Sequence, residues 1–549
     1  REGAAEELTA IAASAEGTVV LEKITSLVPP PAAPPREVER GVVSDQLLRA
    51  PIISERALID NGVEVTVVPC AGVGGGIGSF VWADLLRVSG VPAEQIAVVG
   101  NEPQPYGRYQ RLCINSQIPA HERLRSNSDS CPDNPWGFPG YAAREAWTDI
   151  RHGRLRHALR LYRQIFLEPA FDETYTPRSG DVFASMDREA ERIGWSRIWR
   201  FGRVRAVRKS EEGRLLVIAS VSDEQRRRHY ALSSQFVHFA PGYPSLQFLP
   251  DLATYREQYD DRTRIVNAYE RHDHVYDQLR RTGGVVVIRG RGIVASRIIQ
   301  KIYEERRRGA NISVVHLHRS RLLEGHSWGR GRRKVQNEWE FQPFNWPKSA
   351  WGGEHRAALE SASDEDRKHL LGTWGGTTTA DRHDWMRIVN EGLREGWYRP
   401  EYGVVRDMTP AGDGRVISHI SNALAGGGIL QLTADYVIDC TGLIASPERS
   451  PMIGDMVNMY GLPKNPLARL AVSNDFEVQG MRHGSARMYA SGAITLGGPF
   501  AAVDSFLGLQ YAALRAVHAM QQHAPSHIRR LNGAYSFGQW MRWARSTAP

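Results

Sequence analysis

Apolar runs of strand length alternate with a helical pattern over residues 63–99. Residues 63–68 form a β-branched apolar run, residues 80–88 have apolar positions at helical spacing, and residues 96–99 form a second run typical of a buried strand. A glycine-rich segment, residues 70–79, separates the first run from the helix. Since a strand, a turn, a helix and a second strand make up the βαβ unit of a parallel sheet, we expect such a unit here.

The same order of parts returns over residues 284–317. An apolar run at 285–288 precedes a glycine turn, a helical pattern covers 294–308, and residues 312–317 form the next strand-like run. Two further apolar runs, at 235–239 and 435–439, end in small-residue turns. The chain therefore predicts two copies of one nucleotide-binding unit within an α/β fold.

The composition fits a globular protein of two or three domains, with 549 residues, 42% of them hydrophobic and 24% charged. The formal net charge of +8 is dispersed, which favours phosphate-bearing ligands over a nucleic-acid partner. The four cysteines are far apart and form no C-x-x-C pair, as expected of reduced thiols in a cytoplasmic protein. No apolar run approaches the ~20 residues of a membrane helix, so no membrane span is predicted.

The first glycine segment contains the pattern Gly74-x-Gly76-x-x-Ser79. In such a turn the first glycine permits the tight bend, the second lets backbone N–H groups approach a pyrophosphate, and a small third residue lets the helix pack on the sheet. Glu102 follows the second strand, where an acidic residue binds a ribose hydroxyl. A structural glycine loop is the alternative. Neighbouring glycines offer other registers: Gly72, Gly75 and Gly78.

The second turn has the pattern Gly290-x-Gly292-x-x-Ala295. The strand that follows it ends in Arg319 and Arg321, with no acidic residue at the tip. Positive groups at this position accommodate the 2′-phosphate of NADP, whereas an acid favours NAD. The sequence therefore favours NADPH, with NADH as the alternative if these arginines are only solvated strand-end charges.

Three segments carry a resemblance to a known family: Ser116-Gln117 ahead of Pro132-x-x-Pro135-x-x-Phe138-x-x-Tyr141, Ala240-Pro-Gly-Tyr-Pro244, and Asp439-Cys-Thr-Gly442. Their order within residues 60–515 resembles the N-hydroxylating flavin monooxygenases, the lysine and ornithine hydroxylases. The family's Trp-His pair ahead of the Gln is missing here, and Ala-Pro and Cys-Thr-Gly-Leu stand in place of Ala-Thr and Ala-Thr-Gly-Tyr.

The resemblance implies two Rossmann-like dinucleotide-binding domains, the second inserted in the first, with FAD at the first turn and NADPH at the second. It places Gln117 near the flavin and Gly442 in the segment that returns to the FAD domain. Residues 487–500 resemble a strand and loop that reach the flavin ring, followed by a helix over 505–520 whose N-terminus faces the ring. The candidates near the ring are Gly497, Gly498 and Asp504, and Gly492 is a further cofactor-binding candidate.

The expected organisation is an N-terminal extension and Pro-rich linker at 1–55, the first part of an FAD domain at 56–275, an NAD(P)H domain at 276–430, and the returning FAD segment with a C-terminal helix at 431–549. The extension is expected to contain a short helix at 2–14 and the Pro-rich tract at 28–36. Aromatic residues at 342–351 and Trp374 are either part of a substrate pocket or interface core.

The implied function is that of a monooxygenase that uses NAD(P)H, forms a hydroperoxyflavin and oxygenates a small organic substrate. Since the flavin carries out the difficult chemistry in such enzymes, no side chain is assigned as catalytic and no metal is expected. Two alternatives stay open: a flavin reductase for a protein or quinone acceptor, and a non-catalytic nucleotide-binding redox sensor. Homo-oligomer formation and a module preceding the chain are also left open.

Overall fold

The computed structural model describes residues 40–124, 130–167, 175–222, 227–328, 331–342, 353–376, 378–380, 383–421, 428–524 and 527–549. The predicted helix at 2–14, the Pro-rich tract at 28–36 and most of the aromatic segment at 342–351 lie outside these residues.

The α-helices of the described residues are α1 (Asp45–Leu48), α2 (Glu55–Asp60), α3 (Ile77–Val88), α4 (Gly107–Asn115), α5 (Gly140–Arg151), α6 (Leu155–Leu167), α7 (Ser179–Ile193), α8 (Trp195–Ile198), α9 (Pro250–Gln258), α10 (Asp273–Thr282), α11 (Ile293–Arg307), α12 (Glu354–Ser361), α13 (Asp364–Trp374), α14 (His383–Glu395), α15 (Pro451–Tyr460), α16 (Phe506–His523) and α17 (Gly533–Ala544).

The strands are β1 (Ile52–Ile53), β2 (Glu64–Val67), β3 (Cys70–Val73), β4 (Ile96–Gly100), β5 (Trp199–Phe201), β6 (Arg203–Ser210), β7 (Leu215–Ser222), β8 (Arg227–Ser234), β9 (Phe236–Phe239), β10 (Ser245–Leu246), β11 (Ile265–Asn267), β12 (Gly284–Arg289), β13 (Ile312–His318), β14 (Ser327–Trp328), β15 (Gly331–Arg332), β16 (Lys334–Gln336), β17 (Trp339–Gln342), β18 (Thr379–Ala380), β19 (Tyr398–Tyr402), β20 (Val404–Pro410), β21 (Val416–Ser421), β22 (Ile429–Ala434), β23 (Tyr436–Asp439), β24 (Leu443–Ile444) and β25 (Arg487–Ala490).

The first glycine turn belongs to a five-stranded parallel sheet with the order β25-β9-β3-β4-β5. Its central strand β3 pairs on both sides, with Cys70 opposite Ile96 of β4 and Phe236 of β9. The edge strand β25 comes from the C-terminal part of the chain, after all strands of the second parallel sheet. The sheet is therefore completed only when the chain returns, which is the predicted insertion of one domain into the other.

A second five-stranded parallel sheet repeats this arrangement, with the order β11-β23-β12-β13-β19. In each sheet the strand before the glycine turn lies between the strand after the helix (β4, β13) and a later returning strand (β9, β23). The predicted α/β fold with two Rossmann-like units is thus confirmed. The sheet includes β11 and β23, so it extends beyond the expected limits of 276 and 430.

The prediction that residues 63–68 lead into the glycine turn is wrong. Strand β2 pairs with β8 in a separate five-stranded sheet, β1-β6-β7-β8-β2, with Glu64 opposite Tyr230. The strand ahead of the turn is β3, whose four residues are all buried, whereas the residues of β2 are exposed or half-buried. A β-branched run suits an edge strand as well as a central one, and Gly72 made β3 resemble part of the turn.

Helix α3 fixes the position of the first turn because eleven of its twelve residues are buried. Phe80, Trp82 and Leu86 are fully buried, and each such side chain stabilises the fold by roughly 1.5–3 kcal/mol. The helix packs along α16, so the returning segment contacts the first turn's helix directly. The core thus holds the start of α3 against the sheet.

Two segments of the chain run from one parallel unit to the other, and they contact each other. β10 and β24 pair with each other as a two-stranded antiparallel ladder, with Leu246 opposite Leu443. Arg297 of α11 adds a contact between the units through Glu122, with 2.8 Å between Nη1 and Oε1. Among the described residues, no α-helix has both the length and the apolar character needed to cross a bilayer.

Candidate dinucleotide-binding sites

The first glycine of each turn adopts a left-handed conformation, with φ of +93° at Gly74 and +111° at Gly290. A Cβ at Gly74 would collide with the backbone carbonyl of Ala240, and one at Gly290 would lie 2.6 Å from the carbonyl oxygen of Cys440. Glycine is therefore required at each position for two reasons: the backbone angle is left-handed, and the returning strand approaches too closely to leave room for a Cβ. Ala240 and Cys440 lie in the two segments that depart from the family pattern, and they contribute backbone atoms here.

The second glycine of each turn is the N-cap of the following helix. Gly76 has φ −86° and ψ −173°, and Gly292 has φ −84° and ψ −176°. An added Cβ would have no neighbour within 4 Å at either position, and no described side chain caps either helix. Free N–H groups at an open helix N-terminus are suited to binding an anion, and the two turns share this geometry.

The third position of each turn is occupied by a small residue, Ser79 in the first unit and Ala295 in the second, and both are completely buried. The Ser79 hydroxyl lies 3.5 Å from Nδ1 of His238, whose ring stacks on Trp82. Burial lowers the pKa of His238 to about 3, so the ring is neutral. Both turns therefore share the register Gly-x-Gly-x-x-small, whereas the alternative Gly72 lies within β3.

Several buried polar atoms near the first turn have no hydrogen-bond partner in the described structure, and two of them lie beside its glycines. These two are Nε1 of Trp199 and Oγ of Ser491. Trp199 Nε1 would lie 3.3 Å from a Cβ on Gly75, and Ser491 Oγ would lie 3.1 Å from a Cβ on Gly78. Such orphaned groups are costly unless a ligand or water binds them, so they fit a polar ligand lying over the turn.

Glu102 lies two residues beyond the end of β4, the strand that pairs with β3. Its carboxylate forms an ion pair with Arg111, whose side chain is largely exposed. Gln117 has a left-handed φ of +60° at the end of α4. The side-chain amide of Asn115, two residues earlier, donates to the carbonyl of Tyr269 at 2.8 Å, so Gln117 lies at the junction of the two units.

An open cleft of about 810 Å³ adjoins the second turn. It is lined by Gly290, Arg291 and Arg319, and by Thr441 of the returning segment. Arg291 is held in place by its Nη2, which donates to the carbonyl of Ser320 at 2.7 Å. The cleft therefore combines the first glycine of the second turn with two arginines, one within the turn and one just beyond the end of β13.

Two other predicted cofactor-binding residues, Arg321 and Gly442, lie outside the lining of this cleft. The guanidinium of Arg321 lies over the ring of Tyr402, 5.1 Å from its centroid, and Arg321 does not line the cleft. Gly442 has φ +118°, and its carbonyl accepts a hydrogen bond from the backbone N–H of Gln247 at 3.2 Å, where the two segments that connect the units meet.

A chain of buried hydrogen bonds supports the second turn from behind. Nε2 of His316 lies 2.6 Å from the carbonyl oxygen of Gly290, and its Nδ1 lies 2.8 Å from the hydroxyl of Tyr398. Trp339 donates to the same hydroxyl at 3.1 Å. Burial lowers the pKa of His316 to about 4, so the ring is neutral and its Nε2–H donates to the turn.

The segment that leads to α16 lies at the junction of the units. The hydroxyl of Tyr243 donates to the carboxylate of Asp504, and Arg108 donates to the backbone carbonyl of Tyr243. Burial raises the pKa of Tyr243 well above its usual value, with the nearby Asp504 carboxylate as the second cause. Ser505 caps α16 by accepting from the N–H of Gly508 at 3.0 Å.

The three glycines predicted to bind the cofactor in this segment lie in two places. Gly492 contacts Leu509, which also lies next to Gly78 of the first turn. Gly497 and Gly498 are buried, and a Cβ on Gly497 would lie 2.7 Å from the amide of Asn465. Trp374, the described member of the aromatic segment, is buried against His355 and Leu359 in a small core cluster.

Sequence reasoning missed Arg291, Trp199, Ser491 and Tyr243. Arg291 is the variable residue between the two glycines of its turn, so its position alone was a usable signal. Tyr243 and Ser491 lie in segments that carry the family resemblance, but neither was singled out as a site residue. Trp199 reaches the first turn only through the order of strands in the sheet, and no local pattern marks it.

No protein-family model matches the chain, and no curated protein matches it either. Solved structures do match. An ornithine hydroxylase from Pseudomonas aeruginosa is 15% identical, with 83% of this chain and 100% of that chain covered and a TM-score of 0.58. A cadaverine monooxygenase of desferrioxamine biosynthesis from Erwinia amylovora, solved with FAD bound, is 12% identical, with 85% and 96% covered and a TM-score of 0.59.

An ornithine N-hydroxylase from Kutzneria sp. 744, solved with reduced FAD, NADP⁺ and L-ornithine, is 13% identical, with 83% of this chain and 100% of that chain covered and a TM-score of 0.56. At these identities the matches show the fold. The chain therefore has the two-domain fold expected from its resemblance to the N-hydroxylating flavin monooxygenases.

Proposed function

We propose that this chain is an FAD-dependent oxidoreductase that takes electrons from NAD(P)H and acts as a monooxygenase on a small organic substrate. The observation that carries the proposal is the duplicated glycine turn. In each of two parallel sheets with similar strand order, a strand leads through such a turn into a helix, and the two helix N-termini are open and have the same backbone geometry. Two such turns in one chain suit an enzyme that binds two dinucleotides.

The first turn is the proposed FAD site. The N–H groups that follow Gly76 would bind the pyrophosphate, and Ser79 keeps the helix close to the sheet. Glu102 would bind the ribose hydroxyls after exchanging its contact with Arg111. The orphaned Nε1 of Trp199 and Oγ of Ser491 would donate to acceptor atoms of the same ligand.

The second turn is the proposed NADPH site. The N–H groups that follow Gly292 would bind the pyrophosphate beside the open cleft, which reaches the turn at Gly290 and Arg291. Arg319 and Arg291 would pair with the 2′-phosphate, which favours NADPH over NADH. His316 holds the turn in shape through the Gly290 carbonyl.

The returning segment would complete the proposed flavin site. Gln117, Gly442 and Asp504 lie near the junction of the units, where a flavin and a nicotinamide would have to meet. Gly492 lies close to Leu509, which neighbours Gly78 of the first turn. A bound flavin would supply the redox chemistry, and the residues of this chain bind, orient and shield the ligands from water. The structurally similar proteins named as ornithine and cadaverine hydroxylases suggest an amine as the first substrate class to test.

The test is anaerobic mixing of the purified protein with NADPH or NADH while the visible band of the flavin is followed, and then admission of oxygen with and without amines. We expect flavin to copurify, NADPH to bleach it faster than NADH, and oxygen use to rise with formation of a hydroxylated amine. Peroxide as the sole product with every substrate contradicts a monooxygenase, and rapid reduction of external acceptors then indicates a reductase. A protein without flavin or nicotinamide binding contradicts the proposal entirely.

A further inference from the structure

Two buried histidines lie side by side on one face of β13, next to the second glycine turn. His316 and His318 alternate with Leu317 along the strand, so their side chains point to the same side, and their ring centroids are 4.0 Å apart. His316 contacts the backbone of the turn at Gly290, whereas His318 contacts a side chain of the turn. The two rings therefore support the same turn in different ways.

The side chain that His318 contacts is Arg291. Nε of Arg291 lies 3.2 Å from Nδ1 of His318. Since a guanidinium has only donors, Nδ1 accepts and the proton of the neutral ring is on Nε2. Burial lowers the pKa of His318 well below its usual value, and the neighbouring His316 and Arg291 lower it further, so the ring stays an acceptor at neutral pH.

Two further groups lie against the guanidinium of Arg291. Its Nη2 donates to the carbonyl of Ser320 at 2.7 Å and lies 3.6 Å from the carboxylate of Glu338. Glu338 itself accepts from the backbone N–H of Leu322 at 2.7 Å, and it offsets part of the positive charge. The guanidinium is thus held at Nε and Nη2, and no described residue forms a hydrogen bond with its Nη1. That edge is available to a ligand.

The other arginine named in the cleft differs in this respect. Arg319 is exposed, and within the described part of the chain no hydrogen bond or ion pair fixes its side chain. A guanidinium that is already held loses less rotamer freedom on binding than a free one, so it binds an anion with greater geometric selectivity. Arg291 is therefore the preorganised anion-binding group of the cleft.

His318 also belongs to the lining of the cleft. It is the last residue of β13, and in this fold the end of that strand lies where the 2′ position of the ribose binds. Its Nε2 is buried and has no hydrogen-bond partner in the described structure. Such an orphaned polar atom fits a polar ligand in the cleft.

We propose that His318 is a positioning residue for coenzyme selection, which holds Arg291 in the orientation in which its Nη1 edge pairs with the 2′-phosphate of NADPH. The inference rests on the proposed function of the second turn as a nicotinamide-coenzyme site. It assigns the preference for NADPH to the fixed pair of Arg291 and His318, with Arg319 adding a mobile charge.

The experiment is calorimetric titration of the purified full chain with 2′,5′-ADP and with 5′-AMP. These fragments differ only in the 2′-phosphate, so the ratio of their Kd values isolates that group and requires no turnover. The test variant is His318→Phe, which keeps a flat ring and loses the acceptor. His318→Asn is the rescue variant, because its amide oxygen lies close to the place of Nδ1. The matched control is His229→Phe, which removes a buried Nδ1 that accepts from the N–H of Val43 at 3.0 Å in another sheet.

We expect wild type to bind 2′,5′-ADP about tenfold or more tightly than 5′-AMP. His318→Phe should reduce this preference about fivefold while the Kd of 5′-AMP stays the same, and His318→Asn and the control should retain it. Arg291→Ala should itself lose most of the preference. Adding His318→Phe to Arg291→Ala should then have no further effect, because the histidine acts through the arginine.

An unchanged preference in His318→Phe overturns the proposal. Equal losses in His318→Phe and His318→Asn overturn it too, since the ring then contributes packing and not an acceptor, and so does a further loss in the double variant. If His318→Phe fails to fold and binds neither fragment, Arg291→Lys replaces it: this variant keeps the charge but cannot be held at two nitrogens, and a preserved preference contradicts the proposal. A wild type that binds both fragments equally well refutes the inference and leaves the nicotinamide site standing, whereas one that binds neither refutes the proposed function of the second turn and the inference with it.

Discussion

Two neighbouring glycines of the second turn should respond to substitution in opposite ways. Gly292 has an extended backbone and no atom within 4 Å of an added Cβ, so Gly292→Val fits the folded protein. The valine side chain would then fill the space where we propose that the pyrophosphate binds. Gly290→Ala instead places a Cβ at φ +111° and 2.6 Å from the Cys440 carbonyl oxygen.

The magnitudes separate the two variants. A non-glycine residue in such a backbone conformation costs about 1–3 kcal/mol of folding free energy, and the close contact adds to this. Gly292→Val should leave the Tm of the ligand-free protein unchanged. If it removes two charge-assisted hydrogen bonds of about 1.5 kcal/mol each, binding weakens by about 3 kcal/mol, or roughly 100-fold in Kd.

The assay is thermal unfolding of the ligand-free variants together with calorimetric titration of NADP⁺. Gly76→Val is the matched control, because it fills the equivalent space in the first turn and should abolish flavin binding while NADP⁺ still binds. The reasoning is refuted if Gly292→Val binds NADP⁺ as tightly as wild type, or if Gly290→Ala unfolds at the wild-type temperature.

Three further predictions concern single side chains. Arg319→Ala should raise the KM for NADPH about tenfold while the KM for NADH changes little, and Arg321→Ala should leave both unchanged; steady-state kinetics with each coenzyme checks this, and equal effects of the two variants contradict it. Arg111→Ala should release Glu102 and tighten FAD binding, with less than about 1 kcal/mol change in stability because the pair is exposed; fluorescence titration of the ligand-free protein measures the Kd, and weaker binding speaks against a ribose contact. His316 has a folded-state pKa of about 4, below its unfolded value, so its contribution to stability is present above about pH 6.5 and is lost as the pH falls towards 4. His316→Phe should therefore show a smaller fall in unfolding free energy between pH 6.5 and 4 than wild type, as measured by urea denaturation, and identical pH profiles would count against this role.

The glycine turns and their helices were predictable because the signals are local. The register Gly74-x-Gly76-x-x-Ser79 follows from which glycine can be followed directly by a helix, and α11 was expected within one residue of its observed ends. The helical spacing of apolar residues and the small third residue can both be recognised within a short stretch of the sequence. The same holds for the two returning strands β9 and β23, whose apolar runs end in small residues.

Contacts between distant segments were not predictable in this way. The four residues of β3 have no alternation and include Gly72, so only burial on both sides identifies them as a central strand. The approach of Ala240 to Gly74 depends on the order of strands, which a single sequence does not reveal. Trp199 reaches the first turn for the same reason, from a strand that lies far beyond the turn in the sequence.

The ladder between β10 and β24 has a consequence for the order in which the molecule folds. The backbone hydrogen bond from Gln247 to Gly442 brings the two ends of a long intervening segment together. Until that segment has folded, β25 is separated from β9 by a long flexible loop, and closing such a loop is entropically costly. Once that segment has folded, its two ends are held together by this hydrogen bond, and the loop that remains to be closed is short. The first parallel sheet should therefore gain its last strand, β25, after the inserted second unit has formed, although most of the first unit is synthesised earlier.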